Sequence, residues 1–188
     1  ECLKDGGKMI INGDNKIGIK SFLQNISKQW PPEITVIKKK GRIGLYQKEK
    51  QLFGQWKKYQ VFGKNSDGYY TRCDMFSPKE IDKGSQKLVS VFSNKLYGEV
   101  ADLGAGWGYL SKAALRLNNK ITRITLFENN YSAYLASKKN IDDERATFRW
   151  ASIENIRNLR LRFNHVICNP PFHSGRRKDI ELLKSFIF

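Results

Sequence analysis

The sequence predicts an α/β protein built on a doubly wound, mainly parallel sheet, and three observations carry that expectation. From residue 76 onward, short apolar stretches alternate with amphipathic ones, the pattern of strands followed by covering helices. The helical stretches repeat their apolar residues at offsets of three and four, whereas the strands are short stretches rich in apolar residues. Chemically distinctive residues then fall where strands end, which is where sheets of this kind bind ligands.

Each element can be read in turn. Leu88, Val91, Phe92 and Leu96 form one face of a helix expected from about Ser85 to Tyr97. Val100, Ala101 and Leu103 make a short buried strand that runs into glycines, and Leu110, Ala113, Ala114 and Leu117 make the next helix. Ile121–Phe127 is the second strand, Ser132–Ile141 a helix, Thr147–Trp150 a third strand and Phe163–Cys168 a fourth. Upstream, Lys8–Ile11 reads as a short strand and Gly13–Asn15 as a turn. Ile19, Phe22, Leu23 and Ile26 share a helical face that Pro31 and Pro32 bring to an end. ITVIKKKGRIGLYQ reads as a strand or hairpin turning at Gly41. Residues 47–75, polar, aromatic and Lys-rich with a turn at Asn65–Gly68, read as a linker carrying some strand.

Composition bounds the function classes. At 188 residues, 40% hydrophobic and 12% aromatic, the chain can bury a core, which excludes wholesale disorder. Its formal charge is +16, and the excess is no tail: residues 1–75 hold 15 basic and 7 acidic side chains, residues 76–188 hold 19 and 11. A field of that sign attracts polyanions such as RNA, DNA or an anionic membrane. Cys2, Cys73 and Cys168 lie far apart without a C-x-x-C, and His165 and His173 form no ligand cluster. This argues for a reducing compartment and against a structural zinc site. No apolar run approaches the roughly 20 residues of a membrane span, and no signal peptide is visible. The cytoplasm is the expected location. The chain begins at Glu1 rather than Met, so a preceding segment is expected.

Three short segments carry chemistry. The first, Asp102-Leu103-Gly104-Ala105-Gly106-Trp107-Gly108, closes the first strand. Glycines let the backbone turn tightly and let a bulky ligand lie against it, while Asp102 offers a carboxylate to a cationic ligand. A dinucleotide fingerprint wants glycine at 109, where this chain has Tyr109. The second is Glu128, at the end of the second strand, able to accept from both hydroxyls of a ribose. The third is Asn169-Pro170-Pro171-Phe172, after the fourth strand. An amine conjugated to a ring is a poor nucleophile because its lone pair is delocalised. Two acceptors on its hydrogens, the Asn169 amide oxygen and the Pro170 carbonyl, aim that lone pair at a methyl donor. Consecutive prolines hold the carbonyl direction, and Phe172 offers a face for an extruded base. No strong base is needed, because the proton becomes acidic once the nitrogen is alkylated. Catalysis is then mostly positioning.

Together these motifs resemble the class I S-adenosylmethionine-dependent methyltransferases, a Rossmann-like family. More narrowly they resemble the bacterial small-subunit ribosomal RNA guanine-N2 methyltransferases. The narrower likeness rests on MFSPKEIDKGSQKLV at 75–89, DLGAGWGYLS at 102–111 and VICNPPFHSG at 166–175, His173 included. It implies that Asp102, Gly104, Ala105, Gly106, Gly108 and Glu128 hold S-adenosyl-L-methionine, and that Phe76, Asp82 and Ser85 roof the pocket. Asn169, Pro170, Pro171 and Phe172 then hold a guanine of 16S ribosomal RNA, free or in the small subunit. Where the family presents Asp or Asn to the adenine amine, this chain has Ser152, a weaker acceptor.

That family has two tandem halves, the first without catalysis. Residues 1–46 resemble the closing part of the first half, 47–75 a linker, and 76–188 a catalytic domain incomplete on its C-terminal side. With four strands, Phe163–Cys168 is expected at an unpaired edge, and the piece is expected to bind cofactor poorly. Other acceptors keep the same chemistry, namely adenine N6 or a protein glutamine amide, and a non-catalytic RNA-binding remnant is the alternative of another class.

Overall fold

A computed structural model describes residues 3–49, 60–152, 155–156 and 161–170. Pro171, Phe172 and His173 lie outside the described residues, as does most of the Lys-rich stretch after residue 49. The chain divides into two compact units, 1–58 and 59–188. Residues 59–75, read from sequence as linker, fall in the second of them.

In the first unit, β1 (Lys8–Asp14) leads through a 3-10 turn into α1 (Ile19–Ser27), and β2 (Ile34–Ile37) and β3 (Gly41–Gln47) follow as a hairpin. β3 is the middle strand, antiparallel to both others. The Asp14 carboxylate accepts from the Lys16 N–H at 2.7 Å, starting the turn. α1 buries Ile19, Leu23 and Ile26 against Trp30 and Tyr46. Phe22, which the periodicity put on that face, is half exposed. The buried stripe runs i, i+4, i+7, and Phe22 lies to one side of it.

In the second unit, the small hairpin β4 (Gly63–Lys64) and β5 (Tyr70–Thr71) precedes α2 (Lys83–Phe92), β6 (Gly98–Leu103), α3 (Tyr109–Leu117), β7 (Ile121–Glu128), α4 (Tyr131–Asn140), β8 (Ala146–Trp150) and β9 (His165–Cys168). The last four strands form one parallel sheet in the order β8-β7-β6-β9. The apolar runs of β6 and β7 are explained by this order: both are interior strands, and Val100, Ala101 and Ile124 are wholly buried. β8 and β9 are the outer strands among the described residues, and each exposes an apolar side chain, Trp150 and Val166.

Element ends are set by side chains that the periodicity does not report. Asp82 caps α2 by accepting from the Ser85 N–H, so the helix starts two residues earlier than expected. It stops at Phe92 because Asn94 takes a left-handed backbone, φ 58°, and the Leu96 N–H goes to the Asn118 side chain. β9 starts at His165 rather than Phe163. Its predecessor Asn164 pairs with Glu99 through its side-chain oxygen as well as its backbone N–H, each at 2.8 Å, so a side chain replaces one rung of the ladder.

Strand order also locates the ligand site. From β6 the chain steps outward to β7 and β8, then returns to the other side of β6 with β9. The connection out of β6 runs to one side, toward β7, while β9 pairs on the other side of β6, so the crevice expected of such sheets falls beyond the carboxyl ends of β6 and β9. Gly104 follows β6 directly and Asn169 follows β9 directly.

Candidate active site

A cleft open to solvent lies at that crevice. Gly104, Ala105 and Gly106 line it from β6, Phe76, Asp82 and Ser85 from the segment around the start of α2, and Asn169 from β9. Three separate stretches of the chain thus meet in one place. The glycine turn and the Asn169 amide are on the same side of the sheet.

The glycines of the turn do different work. Gly106 has φ +56° and nothing within 4 Å of where a β-carbon would stand, so it leaves open room above a turn that favours glycine. Gly108, φ +92°, begins α3, and a β-carbon there would meet Ile141 at 2.9 Å and Ser137 at 3.1 Å. Its bareness serves packing against α4, and it does not line the cleft.

Glu128 holds the turn from the side. One carboxylate oxygen accepts from the Gly106 N–H and the other from the Asn130 N–H, both at 2.7 Å. A carboxylate offers about four lone-pair positions, so two remain for ligand hydroxyls. Asn130 is in turn the cap of α4, accepting from the Ala133 N–H at 3.1 Å.

Asp102 lies under the turn, fully buried. One oxygen accepts from the Ser111 hydroxyl at 2.6 Å, and the other has no partner among the described residues. Burial pushes its carboxyl up to about 7, against the lowering effect of Ser111, with the Glu128 charge adding to the rise. Burial, helped by the Asp102 charge, likewise pushes the adjacent Cys168 thiol up to about 12, which keeps it protonated and inert beside Asn169. A buried acceptor without a donor, in a carboxyl poised at neutrality, suits a cationic ligand. A cation bound nearby favours the ionised form, so binding expels a proton. The sign follows: affinity for a cationic cofactor rises with pH until the free carboxyl is ionised. We expect the dissociation constant of S-adenosylmethionine to fall about fivefold from pH 6 to pH 7. Calorimetry at several pH values measures it, and Asp102→Asn should flatten the dependence.

The Asn169 amide nitrogen donates to Asp82 Oδ2 at 3.0 Å and to Ser85 Oγ at 2.8 Å. No described residue donates to the amide oxygen. Ser152, expected near the adenine, does not line the cleft; its hydroxyl accepts from the Asn155 N–H at 3.4 Å. Pro170 is half-buried next to Asn169.

Several site residues escaped the sequence reading. Trp107 closes one wall, and its indole N–H donates to the Phe76 carbonyl at 3.0 Å, tying the segment before α2 to the glycine turn. Asn140 is a buried three-way clasp. It accepts from the Tyr70 N–H at 2.7 Å and donates to the Tyr70 and Trp107 carbonyls at 2.9 and 2.8 Å. Ser111 had a legible signal, a small hydroxyl in the first turn of the helix after Asp102. Asn140 had none, because its partners are backbone atoms.

A parallel sheet with this order, a glycine turn beneath an open cleft, and an acidic residue closing the neighbouring strand define the class I methyltransferase fold. The chain belongs to the methyltransferase small domain family, which matches residues 69–188. The cofactor of that class is S-adenosyl-L-methionine, as the sequence implied, and the carboxylates and open turn fit it. The chain is 29% identical over 177 residues to "Ribosomal RNA small subunit methyltransferase C" of Haemophilus influenzae (strain PittEE), an alignment covering 90% of this chain and 52% of that protein. It is 32% identical over 152 residues to the protein of the same name in Hamiltonella defensa, covering 78% and 44%. In fold it is similar to the T. thermophilus 16S rRNA N2 G1207 methyltransferase (RsmC), whose structure was determined with AdoMet and guanosine. The TM-score is 0.73 at 20% identity, over 92% of this chain and 49% of that one. The chain thus spans about half the length of the relatives it matches. Among the described residues no helix is long and apolar enough to cross a membrane.

Proposed function

We propose that the protein methylates the exocyclic N2 amine of a guanine in small-subunit ribosomal RNA, using S-adenosyl-L-methionine. The observation that carries this reading is the rotation of the Asn169 amide. With both its N–H groups held by Asp82 and Ser85, only its oxygen is left to meet a substrate, and an oxygen there accepts from an amine. The bound cofactor supplies an electrophilic methyl on sulfur. Asn169 and the Pro170 carbonyl accept the two amine hydrogens and so direct the nitrogen lone pair. Pro171 restrains that carbonyl, and Phe172 stacks on the base. Asp102, Gly104, Ala105, Gly106 and Glu128 seat the cofactor, with Gly108 shaping the turn and Phe76 above. The excess of positive charge over both parts of the chain supports a polyanionic partner. By the same likeness, residues 1–46 are the closing part of a half without catalysis, and the family name of the curated relatives supports the ribosomal assignment.

The test is chemical. Small-subunit RNA from cells lacking the gene should lose one N2-methylguanosine by nucleoside mass analysis, and restoring the gene should return it. An unchanged N2-methylguanosine level rejects the assignment, and loss of N6-methyladenine or methylglutamine instead would redirect it.

A further inference from the structure

The chemistry above needs the Asn169 carboxamide one way round, and nothing in an asparagine enforces that. Its terminal torsion is broad and roughly two-fold, so an unrestrained amide presents its NH2 to the substrate about as readily as its oxygen. An NH2 facing an amine sets donor against donor. The residues that prevent this lie on another element, eighty-seven and eighty-four positions earlier in the chain.

We propose that Asp82 and Ser85 are positioning residues that lock the rotation of the Asn169 amide, so that its oxygen alone faces the acceptor amine. The inference rests on the function proposed above and deepens it, for it moves Asp82 and Ser85 from roofing the cofactor to selecting the acceptor. Asp82 Oδ2 stands 3.0 Å from the amide nitrogen, and a carboxylate only accepts, so the amide oxygen is repelled from that position. Ser85 Oγ takes the second N–H at 2.8 Å, and Ser85 is itself buried. Both hydrogens of the nitrogen are thereby committed, and turning the amide over would set its oxygen against the Asp82 carboxylate, which has no hydrogen to give. The Ser85 hydroxyl can donate as well as accept, so Asp82 carries the selection and Ser85 supports it.

The same Asp82 oxygen accepts from the Ser85 N–H at 2.8 Å, which is the N-terminal cap of α2. One atom starts the helix that carries Ser85 and orients the residue after β9. Gly84 keeps the approach open: a β-carbon there would stand 3.0 Å from Asp82 Oδ2 and 3.7 Å from Asn169 Oδ1. The spacing Asp-x-Gly-Ser is therefore accounted for residue by residue. The acceptor class it selects is a primary amine or amide bearing two N–H groups, since only such a group uses both the Asn169 oxygen and a second carbonyl.

Capping and positioning can be separated. Asp82→Ser keeps a good helix cap but is too short to reach Asn169. Asp82→Asn keeps both, because one amide oxygen can accept from the Ser85 N–H and from Asn169. With the full-length gene product and small ribosomal subunits from cells lacking the gene, Asp82→Ser should lower kcat about tenfold. Its cofactor dissociation constant should stay within about twofold, and Asp82→Asn should restore most of kcat. In an Asn169→Ala background, Asp82→Ser should have no further effect, since residues acting through one group are not additive. Ser85→Ala should behave as a weaker Asp82→Ser.

A second measurement does not depend on turnover. In a 1H–15N spectrum the Asn169 side-chain amide, assigned by its loss in Asn169→Ala, should exchange slowly with water in the parent and faster in Asp82→Ser. Two results overturn the inference: weaker cofactor binding with kcat unchanged in Asp82→Ser, or an amide whose exchange ignores both substitutions. Full transfer by Asn169→Ala sinks the function reading instead, and leaves the exchange result to judge the placement by itself.

Discussion

Asn169→Ala is expected to lower methyl transfer by about a hundredfold or more, while cofactor affinity stays within about twofold. The side chain lines the cleft between α2 and the end of β9, and its hydrogen bonds go to Asp82 and Ser85 rather than to the glycine turn. Its removal therefore leaves the Gly104–Gly106 seat and the Glu128 bracket intact. What disappears is the acceptor that aims the substrate nitrogen, and a misplacement of about 1 Å is enough to cost on the order of a hundredfold in rate. Single-turnover transfer of a labelled methyl, set beside calorimetry of the cofactor, reads the two quantities separately. A substantial loss of cofactor affinity would place the side chain in the donor's site rather than the acceptor's.

Glu128→Gln should weaken cofactor binding by about a hundredfold and lower the melting temperature by several degrees. The change looks conservative, but both carboxylate oxygens accept from backbone N–H groups, of Gly106 and Asn130. An amide has one oxygen, so one of those N–H groups must face an NH2. A buried donor left without an acceptor costs about 1–3 kcal/mol, and in a chain of this size each kcal/mol shifts melting by about 2–4 °C. On the cofactor seating proposed above the binding loss is larger, because a displaced Gly106 would disturb the seat and the glutamine has fewer lone pairs to offer a ribose. Thermal denaturation and calorimetry of the same variant check both parts. An unaltered melting temperature would show that the two backbone contacts contribute little.

The sheet and its crevice could be read from the sequence because strands β6 and β7 are interior. Their burial calls for strands rich in apolar residues, and Val100, Ala101 and Leu103 in one and Ile121, Ile124, Leu126 and Phe127 in the other supply them. The site motifs were legible for a related reason: each sits where a strand ends, and a strand end is visible as a change from apolar to glycine, acid or asparagine. Element boundaries were less accessible. Asp82 moves the start of α2, Asn94 its end, and Asn164 the start of β9, each through one polar side chain and a backbone partner. α4 buries Ala133, Ala136, Ser137 and Asn140, a face of small and polar groups in which hydrophobic periodicity has little to register. The clasp at Asn140 and the indole bond of Trp107 belong to the same kind, long-range contacts to carbonyl oxygens that every residue possesses.

The two glycines of the turn also carry a record of descent. A β-carbon at Gly106 would meet open space, the room a ligand would take in the function proposed above, whereas one at Gly108 would crowd Ile141 and Ser137. In a lineage that stops transferring methyl groups, selection on the first relaxes at once, while the second is still demanded by the neighbouring helix. A descendant retaining glycine at the second position and a larger residue at the first would thus be a fold preserved after its chemistry had gone.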